Sequence, residues 1–124
     1  MLLPELLSIK PASADDATAV LSLKISPELE FFTGHFPNLP ILPGVVQVHW
    51  AIYFAQQQFS IAEKFSRLDS VKFHSVILPN ALLALTLQWH QEKSSLDFVY
   101  ANAQKKYSSG RVVFNAEGIK ADGI

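Results

Sequence analysis

The sequence predicts an α+β domain: an antiparallel sheet wrapped around one long, buried, apolar helix. Three observations lead there. Residues 45–59 run for fifteen positions without Gly, Pro or charge. Several other segments repeat apolar residues at every second position, the period of a half-buried strand. Short polar connections separate those segments, as hairpins require. With 124 residues, 49% of them apolar and 17% charged, the chain suffices for one core and is too short for two. A single domain over 1–124, with its core over about 6–116, is the expectation.

Residues 6–10 read as a short first strand or a helical turn, and Pro11, Asp15 and Asp16 turn the chain after them. Over 17–25, Ala19, Leu21, Leu23 and Ile25 share one face while Thr18, Ser22 and Lys24 share the other, which predicts a strand. Four of the seven prolines, Pro27, Pro37, Pro40 and Pro43, then follow. Each fixes φ, lacks an N–H and biases its predecessor towards extended geometry, so 26–43 is predicted as an ordered loop. In 45–59, Val45, Val46, Val48, Trp50, Ala51, Ile52, Tyr53, Phe54 and Ala55 cover nearly the whole helical circumference. A helix apolar all round is a buried one. Gln56, Gln57, Gln58 and Ser60 mark its return to water.

The remainder reads as sheet. Over 67–77, Val71, Phe73, Ser75 and Ile77 face one way and Lys72, His74 and Val76 the other. Residues 78–80 turn the chain, 82–90 and 96–104 flank a polar connection, 107–110 form the next turn, and 111–116 make the last strand. The tail after Glu117 is expected to fray. A curled sheet with one helix leaves its edges uncovered, which pairing with a second copy solves. A mean hydropathy of +0.20 points the same way.

Composition excludes several classes of function. Ten basic and eleven acidic residues leave a net charge of −1, which argues against a nucleic-acid binder. Without cysteine there is no disulfide, thiolate nucleophile or Cys-based zinc site. The start, Met1-Leu2-Leu3-Pro4-Glu5, lacks the basic n-region of a signal peptide, and no run of 18 apolar residues occurs to span a membrane. A cytoplasmic protein is expected. A metal site would need His35 and His49 to recruit Glu28 or Glu30 with no recognisable spacing, so neither metal nor cofactor is expected.

The chemistry concentrates in 32–46. The prolines would hold His35 rigidly, as catalysis requires. Pro43-Gly44 opens the helix, whose first N–H groups would face a carbonyl gaining negative charge. A base beside an oxyanion site suits proton abstraction next to a thioester carbonyl. The alternative is a proline-stapled loop in which His35 merely caps.

Gly34-His35-Phe36-Pro37, Pro40 and Pro43-Gly44 match the G-H-F-P-x-x-P-x-x-P-G signature, and the chain here resembles the hotdog-fold 3-hydroxyacyl-carrier-protein dehydratases of fatty-acid synthesis. The resemblance implies a hotdog fold and dehydration of 3-hydroxyacyl thioesters to trans-2-enoyl thioesters. It implies a homodimer or larger assembly with its sites at the subunit interface. His35 would work with an acidic residue of the partner's helix, and the Gly44 N–H would polarise the thioester carbonyl. The substrate would hang on the phosphopantetheine arm of an acyl carrier protein, in a tunnel between the two helices. Phe36, Pro43 and Val45 are candidate substrate contacts, and Trp50, Tyr53, Phe54 and Phe59 read either as core or as tunnel lining, which need the same residue types.

The chain departs from that pattern where the family carries its acid, fourteen residues after the motif histidine: His49 stands there, and no carboxylate occurs between Glu30 and Glu63. Tyr53 replaces a frequent Gln. The run 43–50 is similar to the dehydratase-like proteins of aryl-polyene biosynthetic clusters. A His35/His49 pair could divide the roles, His35 as base and His49 as proton donor to the leaving hydroxyl. Alternatively His49 is bonded to a backbone carbonyl or to Tyr53 without a catalytic part. A paralogous partner supplying the acid would make the chain half of a heterodimer.

Other residues carry weaker signals. His74 and His90 read as surface histidines, and Glu28 and Glu30 either orient His35 or are solvated. Lys64, Arg67, Lys72, Lys105, Lys106 and Arg111 either converge as a landing patch for an acidic carrier or scatter over the surface. A thioesterase on the same fold, and a subunit that binds without turnover, are the competing functions. The first normally needs a carboxylate at the helix.

Overall fold

Alternation decides which side of each strand meets the helix. Ala19, Leu21 and Leu23 point inward from β2 (Thr18–Lys24), Leu83, Leu85, Leu87 and Trp89 from β4 (Leu82–His90), and Leu96, Phe98 and Tyr100 from β5 (Ser95–Ala101). All of these are buried, and they close over α1 (Gly44–Gln58), whose Val46, Trp50, Ala51, Phe54 and Ala55 complete the core. Burying such a residue stabilises the fold by roughly 1.5–3 kcal/mol before chain entropy is counted. This computed structural model describes residues 1–32 and 40–119.

With β1 (Glu5–Lys10), β3 (Lys64–Phe73) and β6 (Lys106–Asn115), the strands form one sheet in the order β1-β2-β4-β5-β6-β3. Every neighbouring pair is antiparallel. The α+β architecture read from the sequence is therefore the one observed, and 6–10 resolves as part of an edge strand. The described part of the proline-rich loop holds one turn of 3-10 helix, Glu30–Phe32.

Several expectations need correction. The helix is not buried all round. Val45 is 77% exposed, His49 is exposed, and Ile52 and Tyr53 are only half-buried. Positions 45, 49, 52, 53 and 56 share one stripe of the helix, and the sheet of a single chain covers only the other side. The turn expected at 107–110 lies inside β6. The chain reverses instead at Asn102, whose Oδ1 accepts from the N–H groups of Gln104 and Lys105 at 2.9 and 3.1 Å. Ser108 and Gly110 continue as strand, paired with Tyr100 and Phe98 of β5, and Gly110 packs where a Cβ would lie 2.9 Å from both Phe98 and Val71.

The alternation read over 67–77 also fails midway. Ser70 takes a left-handed φ of 53°, and the register shifts between Asp69 and Lys72. The bulge resets which side chains face inward. β3 starts earlier, at Lys64, and ends at Phe73, so Ser75 and Ile77 lie beyond it.

Candidate functional site

The uncovered stripe of α1 lines a groove of about 510 Å³. Its walls are Val45, Val46, His49 and Tyr53 from the helix, with Leu2, Leu3 and Phe31 opposite. Those opposite residues are tied in place. The Trp50 indole N–H donates to the Leu2 carbonyl at 3.0 Å, and the Glu30 N–H donates to the Met1 carbonyl at 3.1 Å. The Phe31 ring meets Trp50 edge-on at 6.2 Å between centroids. Among the described residues, His49 and Tyr53 are the only polar side chains lining an otherwise aliphatic and aromatic groove. Such a groove suits an acyl chain with a polar head near His49.

The turn into α1 is fixed from several sides. The Leu42 N–H donates to the Ile77 carbonyl at 2.9 Å, and the Leu42 carbonyl accepts from Gln47 Nε2 at 3.1 Å. The Pro43 carbonyl accepts the N–H groups of Val46 and Gln47 at 3.1 and 3.2 Å. Among the described residues no side chain caps the helix, and the N–H groups of Gly44 and Val45 meet no acceptor. They form the positive end of the helix dipole. Gly44 leaves room for the Phe73 ring: a Cβ there would lie 2.6 Å from Phe73 Cζ unless the ring shifted. A second hollow, about 350 Å³, lies over this turn and is walled by Ile41, Leu42, Pro43, Gly44, Phe73 and Val76 among others.

Another hollow, about 770 Å³, lies elsewhere, on the sheet face turned away from α1. Lys72, Lys106 and Arg111 converge there, joined by His74, Asp69 and Asp97. Much of its charge is neutralised locally. Arg111 Nε donates to Asp97 Oδ1 at 2.7 Å, and His90 Nε2 lies 2.8 Å from Asp97 Oδ2. The Arg111 guanidinium, and after it His90, hold the Asp97 carboxyl below the usual carboxylate range. Lys64, Arg67 and Lys105 do not line this hollow. Arg67 pairs with Asp69 at 3.2 Å, and Lys105 lies over the Tyr107 ring. Among the described residues no cluster of three His, Asp or Glu is placed to hold a metal ion.

Of the residues singled out in the sequence, the structure brings Val45, His49 and Tyr53 together and sets Pro43 and Gly44 at the adjoining turn. His35 and Phe36 lie outside the described residues. Trp50, open in the sequence between core and tunnel lining, is 1% exposed and belongs to the core. It sits one residue past His49, about 100° further round the helix and facing the sheet. Leu2, Leu3 and Phe31 were not foreseen, because only folding brings them beside α1. Gln47 was also missed, although an amide in the first turn of an apolar helix is a visible anomaly.

Over residues 11–111 the chain matches the family model described as "ApeI-like: ApeI dehydratase". It superposes with a TM-score of 0.84 on one chain of the dehydratase heterocomplex ApeI:P from Xenorhabdus doucetiae, at 31% identity, covering 91% of this chain and 98% of that one. An uncharacterised protein of Erwinia carotovora subsp. atroseptica gives a TM-score of 0.79 and 31% identity, with 93% and 98% covered. The 3-hydroxyacyl-[acyl-carrier-protein] dehydratase FabZ of Streptococcus thermophilus is 29% identical over 112 residues, 82% of this chain and 78% of the relative. No helix among the described residues is long and apolar enough to cross a membrane.

Proposed function

The chain belongs to the ApeI-like dehydratase family, and from that premise we propose how its own residues dehydrate a 3-hydroxyacyl thioester. His35 removes the α-proton. The electron pair moves onto the thioester carbonyl, whose developing charge is met by the Gly44 N–H. The β-carbon–oxygen bond then breaks, and the hydroxyl leaves as water with a proton from His49. The products are a trans-2-enoyl thioester and water. The observation that supports this reading is the groove, in which, among the described residues, His49 is the polar group nearest the helix N-terminus and no carboxylate lines the wall.

Val45, Tyr53, Leu2, Leu3 and Phe31 would bind the acyl chain, and Pro43 and Phe36 would shape the entry. The substrate is carried on the phosphopantetheine arm of an acyl carrier protein. Lys72, Lys106 and Arg111 offer a basic hollow to an acidic carrier, although Arg111 is already committed to Asp97. The chain works as a dimer of this fold, the second copy covering the exposed stripe of α1.

The experiment is steady-state turnover of a carrier-bound 3-hydroxyacyl thioester. His35→Ala should abolish it, and His49→Ala should lower kcat by about 10²-fold, a typical contribution of general acid–base catalysis. Full activity in both folded variants would overturn the assignment. A second reading has support of its own: no acid lines the groove among the described residues, and a similar protein is described as a heterocomplex. In that reading a paralogous subunit supplies the carboxylate opposite His35, and activity appears only when both subunits are mixed.

A further inference from the structure

Gln47 is a buried amide that the reaction scheme does not use. It is 3% exposed, in the first turn of a helix whose other buried side chains are all apolar. Its side chain is bonded at both ends: Nε2 donates to the Leu42 carbonyl at 3.1 Å, and Oε1 accepts from Ser108 Oγ at 2.7 Å. Its backbone is held too, since its carbonyl accepts the Tyr100 hydroxyl at 2.7 Å and its N–H donates to the Pro43 carbonyl at 3.2 Å. Ser108 and Tyr100 are fully buried, on β6 and β5. One residue thus links the turn before α1, the start of α1 and two central strands.

Stability alone does not call for this arrangement. A satisfied buried hydrogen bond contributes only about 1 kcal/mol net, and replacing all partners with apolar groups of similar shape is often neutral. Hydrogen bonds offer direction, which apolar packing lacks. An aliphatic side chain at 47 would tolerate small rotations and slides of the helix over the sheet. The amide fits only when the Leu42 carbonyl and the Ser108 hydroxyl are both in place, because any slip leaves a buried polar group unpaired. The Leu42 N–H is already fixed to Ile77, so bonding its carbonyl immobilises both sides of the peptide unit leading into Pro43-Gly44.

We propose that Gln47 is the positioning residue of the site: with Ser108 and Tyr100 it sets the orientation of the Gly44 N–H towards the substrate carbonyl. This rests on the dehydratase reading for its catalytic meaning, while its structural content stands independently. It acts through Gly44 and touches no reacting atom. Preorganised donors are effective because they need no reorganisation at the moment of reaction, and misplacement by about 1 Å can cost on the order of 10²-fold in rate.

The test uses the full chain, with its partner subunit if turnover needs one, and the variants Gln47→Met and Ser108→Ala. Gln47→Met keeps the volume and removes the amide. It should lower kcat by about 10- to 100-fold while KM changes less than about threefold, the signature of a lost transition-state contact. Ser108→Ala should lower kcat by about threefold to tenfold, and the double variant should be no slower than Gln47→Met, since both act on one unit. A kcat and amide pattern like the wild type's in folded Gln47→Met would overturn the proposal. If Gln47→Met does not fold, Ser108→Ala decides alone, and unchanged kcat in it refutes the role. The second readout needs no activity. The backbone amide resonances and hydrogen-exchange rates of Gly44 and Val45 should move in both variants. An inactive wild type with those shifts present would sink the dehydratase reading and leave the positioning intact, whereas unshifted amides would sink the positioning itself.

Discussion

Gly44→Ala separates the stability of the helix start from its chemistry. The added methyl would lie 2.6 Å from Phe73 Cζ and 2.8 Å from Cε1, so the ring must retreat by about 0.8 Å to regain ordinary contact near ~3.4 Å. Phe73 is 53% exposed at the end of β3, and the clashing atoms are the far edge of its ring. It can therefore pivot into solvent. Overpacking a closed core costs about 1–3 kcal/mol, but here the strain relaxes, and the better helix propensity of Ala offsets up to about 1 kcal/mol. The net change in stability should stay within about 1 kcal/mol, a shift in Tm of at most about 6 °C.

Turnover should respond differently. The methyl crowds the approach to the Gly44 N–H, and losing one such donor typically costs 10²–10³-fold in kcat, about 2.7–4 kcal/mol. The assay follows absorbance of the conjugated enoyl thioester under single-turnover conditions, beside thermal unfolding by circular dichroism. Adding Phe73→Ala to Gly44→Ala should relieve the remaining strain without restoring kcat. Wild-type kcat in Gly44→Ala would refute the place given to Gly44 in the reaction. A loss of more than about 10 °C, recovered by Phe73→Ala, would refute the claim that the ring is free to move.

Two further outcomes follow from other parts of the molecule. Val45→Asp places a carboxylate on the 77% exposed stripe of α1 that a second subunit is expected to cover. Association should weaken at least tenfold, about 1.4 kcal/mol, and light scattering should show monomer where the wild type is dimeric. An unchanged mass would move the interface elsewhere. Asp97 is held below the usual carboxylate range by Arg111 and His90. Its stabilising contribution is complete above the unfolded pKa near ~3.9 and disappears as pH falls through the lower folded value. Asp97→Asn should therefore have a lower Tm than wild type at neutral pH, with the gap closing below about pH 4. A gap constant from pH 7 to pH 3 would contradict this.

Local sequence signals reached far into the fold and less far into the site. The alternation of Ala19, Leu21 and Leu23, and of Leu83, Leu85 and Leu87, determined strands with one buried face, because a period of two can satisfy a core on only one side. The Pro43-Gly44 step determined where the helix begins, since proline at the cap lacks an N–H that no helix bond needs. The motif around His35 and the histidine at 49 were enough to indicate a dehydratase-like chain without its usual acid.

Tertiary structure decided what local pattern could not encode. An apolar stripe reads identically whether a sheet of the same chain or another subunit covers it, so the exposure of Val45 and His49 emerged only with the sheet in place. The reversal at Asn102 displaced the expected turn at 107–110, because side-chain capping there outweighed the turn propensity of Ser108, Ser109 and Gly110. Ser108 was instead drawn into the strand that presents its hydroxyl to Gln47, across 61 residues of sequence. Such a pairing leaves no trace in the spacing of either residue, since neither chain segment knows its neighbour until the sheet has closed on the helix.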